Sequence, residues 1–141
     1  MKNITLRLDI VSAEKEIFSG QSSMVFVTGE MGELGIAPGH APLITSLKPG
    51  NVRVLLENGE EDIFYFNGGM LEVQPFVVTI LADTAVRARD IDEAAAIEAK
   101  ERAEKMLANK LTEMDFAKAT AELAEAIAQI RAVQKLRKML K

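Results

Sequence analysis

From Ile4 to about Ala88 the apolar residues recur at every second position, as in Ile4, Leu6, Leu8 and Ile10, and again in Val52, Val54 and Leu56. A period of two marks strands with one buried face. Turn-forming residues punctuate this region at short intervals: Gly20, Gly29, Gly32, Gly35, Pro38-Gly39, Pro49-Gly50, Asn58-Gly59 and Gly68-Gly69. Asn58-Gly59 separates "NVRVLLE" from "EDIFYF", which predicts a tight β-hairpin with both central residues at positive φ. "GGMLEV" and "FVVTILA" supply two further strands around Pro75. Many short strands with frequent turns predict an antiparallel β-sandwich or flattened barrel, not a helix-covered parallel sheet.

After Arg89 the pattern changes, because the rest of the chain holds no glycine or proline and is crowded with Ala, Glu, Lys and Leu. Asp90 with Glu93 predicts a helix N-terminus, with acids Asp90, Asp92 and Glu93 in the first turn and Lys105 and Lys110 toward the far end, as the helix dipole favours. "NKLTEMD" interrupts the helix, and Asp115 is the expected N-cap of a second one running from Phe116 to near the C-terminus. So short a connection implies an antiparallel hairpin. The predicted class is therefore α+β, with a β-sandwich over residues 1–88 and a two-helix hairpin over 89–141, the boundary falling at 86–90.

The hairpin is weakly glued. In its first helix Ala95, Ala99 and Ala103 follow at four-residue spacing, and only Ile91, Ile97, Met106 and Leu107 carry larger apolar side chains. An alanine methyl contributes roughly 0.8 kcal/mol on burial against about 1.5 to 3 for Leu or Ile, while high helix propensity keeps such a segment helical wherever it packs. Two readings stay open: a close-packed hairpin that never moves, and one that exchanges partners. The second helix is polarised, with its last acid at Glu125 and with Arg131, Lys135, Arg137, Lys138 and Lys141 beyond it. Arg131, Lys135 and Lys138 follow i, i+4, i+7 as one basic stripe beside a drifting apolar face of Leu123, Ile127, Ile130, Val133, Leu136 and Leu140. This stripe either suits an acidic groove or merely complements the helix dipole while solvated.

Composition narrows the function classes. A chain of 141 residues holds one sizeable core, and a net charge of −4 offers no general attraction to nucleic acid. Cysteine is absent, which removes disulfides and thiolate metal sites and suits a reducing compartment such as the cytoplasm. "MKNITLRLDIV" alternates instead of forming a signal peptide, and no run approaches the roughly 18 apolar residues that span a bilayer. His40 is the sole histidine and finds no second metal ligand or triad partner. Gly29, Gly32 and Gly35 do not match the dinucleotide spacing, and no helix follows to receive a phosphate. Glu57, Glu60, Glu61 and Asp62 cluster at a hairpin, where acids are usually solvated. No enzymatic constellation and no cofactor site emerge, and the bare pattern leaves room for a stand-alone binding module with a helical oligomerisation tail.

"LDIVSAE" at 8–14, "GELGIAPGHAPLIT" at 32–45, "LKPG" at 47–50, "NGGMLEVQP" at 67–75 and "LADTAVRARDIDEA" at 81–94 resemble the epsilon-subunit family of bacterial F-type ATP synthases. The motifs span essentially the whole chain in the family's order. The resemblance implies a non-catalytic rotor subunit bound to the gamma subunit and the c-ring at the cytoplasmic face of the bacterial membrane. It implies that Glu33 in "GELG" faces the c-ring and that Ser12, His40 and Thr45 approach gamma or the rotor junction. A mobile hairpin would lie against the β lobe or extend toward the alpha and beta subunits and oppose ATP hydrolysis, with Arg131, Lys135 and Lys138 meeting an acidic segment of a beta subunit. Some family members bind ATP through an Ile/Leu-Asp-x-x-Arg-Ala motif. Here Ile91, Asp92 and Ala96 match, but Ala95 stands at the arginine position and Val86 at that of an upstream acid. Loss of the guanidinium predicts weak or absent ATP binding, with Arg87, Arg89 or Arg131 left as substitutes.

Overall fold

The computed structural model describes residues 4–29, 31–109 and 112–140; Lys110 and Lys141, placed above near helix ends, lie outside them. Among the described residues nine strands precede two α-helices: β1 Leu6–Val11, β2 Glu16–Gly29, β3 Gly32–Ile36, β4 Leu43–Leu47, β5 Gly50–Leu56, β6 Glu61–Phe66, β7 Gly69–Val73, β8 Val77–Ala82, β9 Ala85–Arg87, then α1 Glu93–Ala108 and α2 Glu113–Met139. The strands run in the order β4-β7-β8-β1-β2-β5-β6-β9, with β3 added to β2. Fourteen-residue β2 joins the two halves, pairing with β1 through Glu16–Ser22 and with β5 and β3 through its later residues. A register shift between Ser22 and Met24 bends it at that changeover.

The α+β class and the sandwich are as expected, with one refinement. β1 and β8 run parallel, Arg7 opposite Val77 through Val11 opposite Leu81, while the other pairs are antiparallel. The core between the layers is made by the inward residues of the period-two pattern, among them Leu6, Leu8, Ile10, Val25, Val52 and Ile80. β6 departs from alternation: Ile63, Phe64, Tyr65 and Phe66 are all buried. Phe64 and Phe66 enter the sandwich, whereas Ile63 and Tyr65 face outward into a second cluster with Ala128 and Ala132 of α2. A strand covered on both faces reads as a continuous apolar run, and α2 is the second cover.

Three local expectations need correction. Asn58-Gly59 is part of a three-residue connection: Leu56 N–H donates to Glu60 O at 2.8 Å and Gly59 N–H to Leu56 O at 3.0 Å. Only Gly59 has positive φ there, at 86°, the pattern of a hairpin whose glycine forms a bulge. α1 is capped by Asp92, not Asp90, its carboxylate accepting the Ala95 N–H at 3.1 Å; Asp90 closes a short 3₁₀ turn, Ala88–Asp90. α2 is capped by Thr112, whose Oγ1 accepts the Asp115 N–H at 3.2 Å. Asp115 itself sits in the first turn with Glu113, where acids favour the dipole. In both helices two cap-type residues two or three positions apart compete, and the structure selects the one whose side chain reaches an orphan N–H.

The helices form an antiparallel hairpin. Arg137, near the end of α2, reaches Glu93 at the start of α1, with one Nη1–Oε1 hydrogen bond of 3.1 Å. The buried positions of the two helices are mostly alanine: Ala96 and Ala103 in α1, and Ala119, Ala126, Ala128 and Ala132 in α2 with Val133; Ala128 and Ala132 face the sheet.

Candidate functional site

α2 lies over β5 and β6, and the polar side chains of that seam converge on Lys135. Its Nζ donates to Asn51 Oδ1 at 2.9 Å and lies 3.6 Å from Glu33 Oε2. Asn51 is 5% exposed, and its backbone is tied to Thr28: Thr28 Oγ1 donates to Asn51 O at 3.1 Å and accepts the Asn51 N–H at 3.3 Å. Gly50 makes this approach possible, because a Cβ there would meet Thr28 Cβ at 2.8 Å. Glu33 is brought alongside by β3, which pairs Glu33 with Thr28 of β2 after Gly32 turns at a φ of 123°.

Arg131 lines the same cleft, about 490 Å³ in volume, together with Lys48, Asn51, Glu33 and Lys135. Among the described residues, Glu33 is the one acid in its lining. Lys138 points to solvent and is not part of the lining. The predicted stripe is thus divided: Lys135 turns toward the sheet, Arg131 borders the cleft and Lys138 stands free of it.

Glu33 also lines a smaller cavity of about 220 Å³ with Thr45, Leu34, Leu43 and Met31. Thr45 and Glu33 therefore share one edge of the sandwich. Ser12 occupies the β1–β2 turn, its N–H donating to Lys15 O at 2.9 Å. His40 lies in the β3–β4 connection with Nδ1 2.7 Å from Ala41 O, so that Nδ1 carries the proton. Pattern reading missed Ile44, Met70 and Leu81, which form an exposed apolar face on β4, β7 and β8 at 68%, 43% and 50% exposure. Their signal was present: each is apolar at a strand position whose neighbours in sequence point inward.

Beneath α2, Tyr65 is buried and its hydroxyl lies beside Gln129 and Glu125 without completing a hydrogen bond to either. Burial above all, and then the Glu125 charge, push its phenol well above the ordinary tyrosine value. The residues matching the ATP motif have other work. The Asp92 carboxylate caps α1, and Ile91 packs on the cluster around Tyr65. The cavity between α1 and α2, about 390 Å³, is lined by Ala95, Ala99, Arg102, Glu122, Glu125 and Gln129, so two acids face one arginine. Arg87 is engaged by Asp62 and stacks 4.9 Å from the Phe64 ring centre, while Arg131 borders the other cleft. Among the described residues no helix is long and apolar enough to cross a membrane.

Comparison with known proteins adds independent findings. Residues 5–88 match the family described as ATP synthase, Delta/Epsilon chain, beta-sandwich domain, and residues 89–134 match ATP synthase, Delta/Epsilon chain, long alpha-helix domain. A relative from Nitrosococcus oceani, named ATP synthase epsilon chain, is 61% identical over 137 residues, covering 97% of this chain and 98% of its own. One of the same name from Legionella pneumophila is 61% identical over 139 residues, 99% of each chain. Among solved structures, a chain of the Euglena gracilis mitochondrial ATP synthase superposes with a TM-score of 0.84 at 23% identity, covering 92% of this chain and 82% of that one. A chain of the Tetrahymena thermophila mitochondrial ATP synthase central stalk and c-ring gives 0.64 at 14% identity, covering 94% and 99%.

Proposed function

The chain belongs to the ATP synthase delta/epsilon chain family, and from that premise we propose that it is a non-catalytic rotor subunit whose helical hairpin restrains ATP hydrolysis. The β-sandwich, residues 1–88, docks on the gamma subunit and the c-ring at the cytoplasmic face of the bacterial membrane, and couples proton-driven rotation to ATP synthesis. Glu33 is the polar contact toward the c-ring, and Ser12, His40 and Thr45 border the gamma junction, where the exposed Ile44, Met70 and Leu81 supply apolar area. Contiguous exposed apolar residues of this kind are characteristic of an interface.

The hairpin, residues 89–141, is the regulatory part. One observation carries this reading: α2 is held to the sheet by an alanine seam, Ala128 and Ala132, closing over Ile63 and Tyr65. The helix's own buried contribution to that seam is alanine methyl, roughly 0.8 kcal/mol each, with Leu136 and Met139 only partly buried beside it, and the 27-residue helix has the propensity to stay largely helical when it leaves. Once released, α2 carries Arg131, Lys135 and Lys138 to an acidic segment of a beta subunit. ATP contributes little, because Ala95 lacks a guanidinium and Glu122 and Glu125 repel phosphates in the interhelical cavity.

Hydrolysis by complexes holding the full chain is to be compared with that by complexes whose chain ends at residue 88. Truncation is expected to raise hydrolysis while proton-driven synthesis persists. An unchanged hydrolysis rate overturns the inhibitory reading.

A further inference from the structure

Glu33 and Lys135, assigned above to different partners, face one another across the seam at 3.6 Å. The Lys135 ammonium is oriented by the buried Asn51, so its position is set by the sheet as much as by its own helix. Glu33 is about half exposed, at 48%, and therefore open to a partner from outside. A carboxylate has two oxygens, but a second cation brought to it also comes close to the Lys135 ammonium and is repelled. Drawing Glu33 outward has a further effect. Among its described lining residues the cleft would keep Lys48 on the sheet side and Arg131 and Lys135 on the helix side, and no acid.

We propose that Glu33 is a shared carboxylate, paired with Lys135 while α2 is docked and with a cation of the rotor ring when the β2–β3 edge is engaged, so that engagement loosens α2. The linkage rests on the reading of Glu33 as the ring contact. By reciprocity, docked α2 weakens ring binding by the same factor. A half-exposed pair of this kind sets that factor at about two- to fivefold.

Amide exchange of the α2 segment 124–133, measured by mass spectrometry on the full chain, reads the docked population, because a helix off the sheet opens more readily than one packed on it. Glu33→Gln is expected to speed it about two- to fivefold, with exchange in β1 and β8 unchanged. Glu33→Lys and Lys135→Glu are each expected to speed it, and their combination to recover most of the loss. Unchanged exchange in Glu33→Gln, or no recovery in the exchanged pair, overturns the internal contact. On the isolated rotor ring, where no beta subunit is present to take up α2, binding is expected to speed α2 exchange in the native chain and to do so less in Lys135→Gln; no acceleration in the native chain, or equal acceleration in both, overturns the linkage. Ring affinity is measured separately. If Glu33→Gln binds the ring as tightly as the native chain, the ring-contact reading falls and the linkage with it, while exchange in the isolated chain still decides the internal pair.

Discussion

Tyr65 is the chain's one tyrosine, and tryptophan is absent, so a single phenol reports on the seam. Because burial and the nearby Glu125 disfavour the phenolate, its pKa in the docked state lies above the ordinary value of about 10. A group raised on docking contributes stability that is complete below its undocked pKa and is lost as pH rises toward the docked one. Docking is therefore expected to weaken above about pH 10. Ultraviolet titration of phenolate should show ionisation at higher pH in the full chain than in a chain ending at residue 88; coincident curves would contradict a Tyr65 buried by α2. Tyr65→Phe removes a hydroxyl that has no partner, and is expected to leave docking unchanged or strengthen it by up to about 1 kcal/mol. Gly69 bears the opposite kind of demand. Its φ is 132°, and a Cβ would fall 2.1 Å from Leu81 O, a backbone atom that cannot swing aside. Gly69→Ala is expected to cost at least about 2 kcal/mol, read as a lower urea midpoint.

At the scale of elements, the hairpin is held by size more than by chemistry. Ala132 is fully buried against Ile63 and Tyr65. Ala132→Leu improves helix content no further and has no space to occupy, so α2 should lift from the sheet while remaining helical. Far-ultraviolet circular dichroism is expected to be preserved, with faster amide exchange across residues 124–133 and a more solvent-exposed Tyr65. Lost helicity would show instead that docking sustains the helix. Strand faces and helix existence were legible because burial imposes periods of two and 3.6 on the residues themselves. "EDIFYF" already carried the cover on both faces, in the consecutive Ile63, Phe64, Tyr65 and Phe66. The parallel pairing of β1 with β8 was not legible, since a register between strands separated by most of the sandwich leaves no local periodicity. The Glu33–Lys135 contact escaped for a related reason: Glu33 was expected to face the c-ring and Lys135 an acidic groove or solvent, and only the docking of α2 brings them together.

For the molecule as a whole, the proposed exchange between docked and released hairpin sets how tightly a nucleotide must bind to govern it. A ligand that binds only the docked state stabilises it by RT ln(1 + [L]/Kd), which is about 0.4 kcal/mol when ligand concentration equals Kd. A regulatory effect at millimolar ATP therefore needs a dissociation constant well below that concentration. The interhelical cavity is poorly equipped for such affinity: Arg102 is opposed by Glu122 and Glu125, Ala95 offers no donor, and the Asp92 carboxylate is committed to capping. Each acid within reach of a triphosphate costs affinity, and one exposed arginine does not offset two carboxylates. Millimolar ATP is accordingly expected to leave α2 exchange within twofold of its value without nucleotide, about 0.4 kcal/mol, and titration calorimetry of the isolated chain to show no saturable heat. Ala95→Arg combined with Glu125→Gln reverses the local charge balance, and should produce saturable binding together with slower α2 exchange. Tight binding by the native chain would mean that cations outside this cavity, Arg89 foremost, supply the phosphate contacts. Failure of the double variant to gain affinity would place the defect in the geometry of the hairpin rather than in its charge.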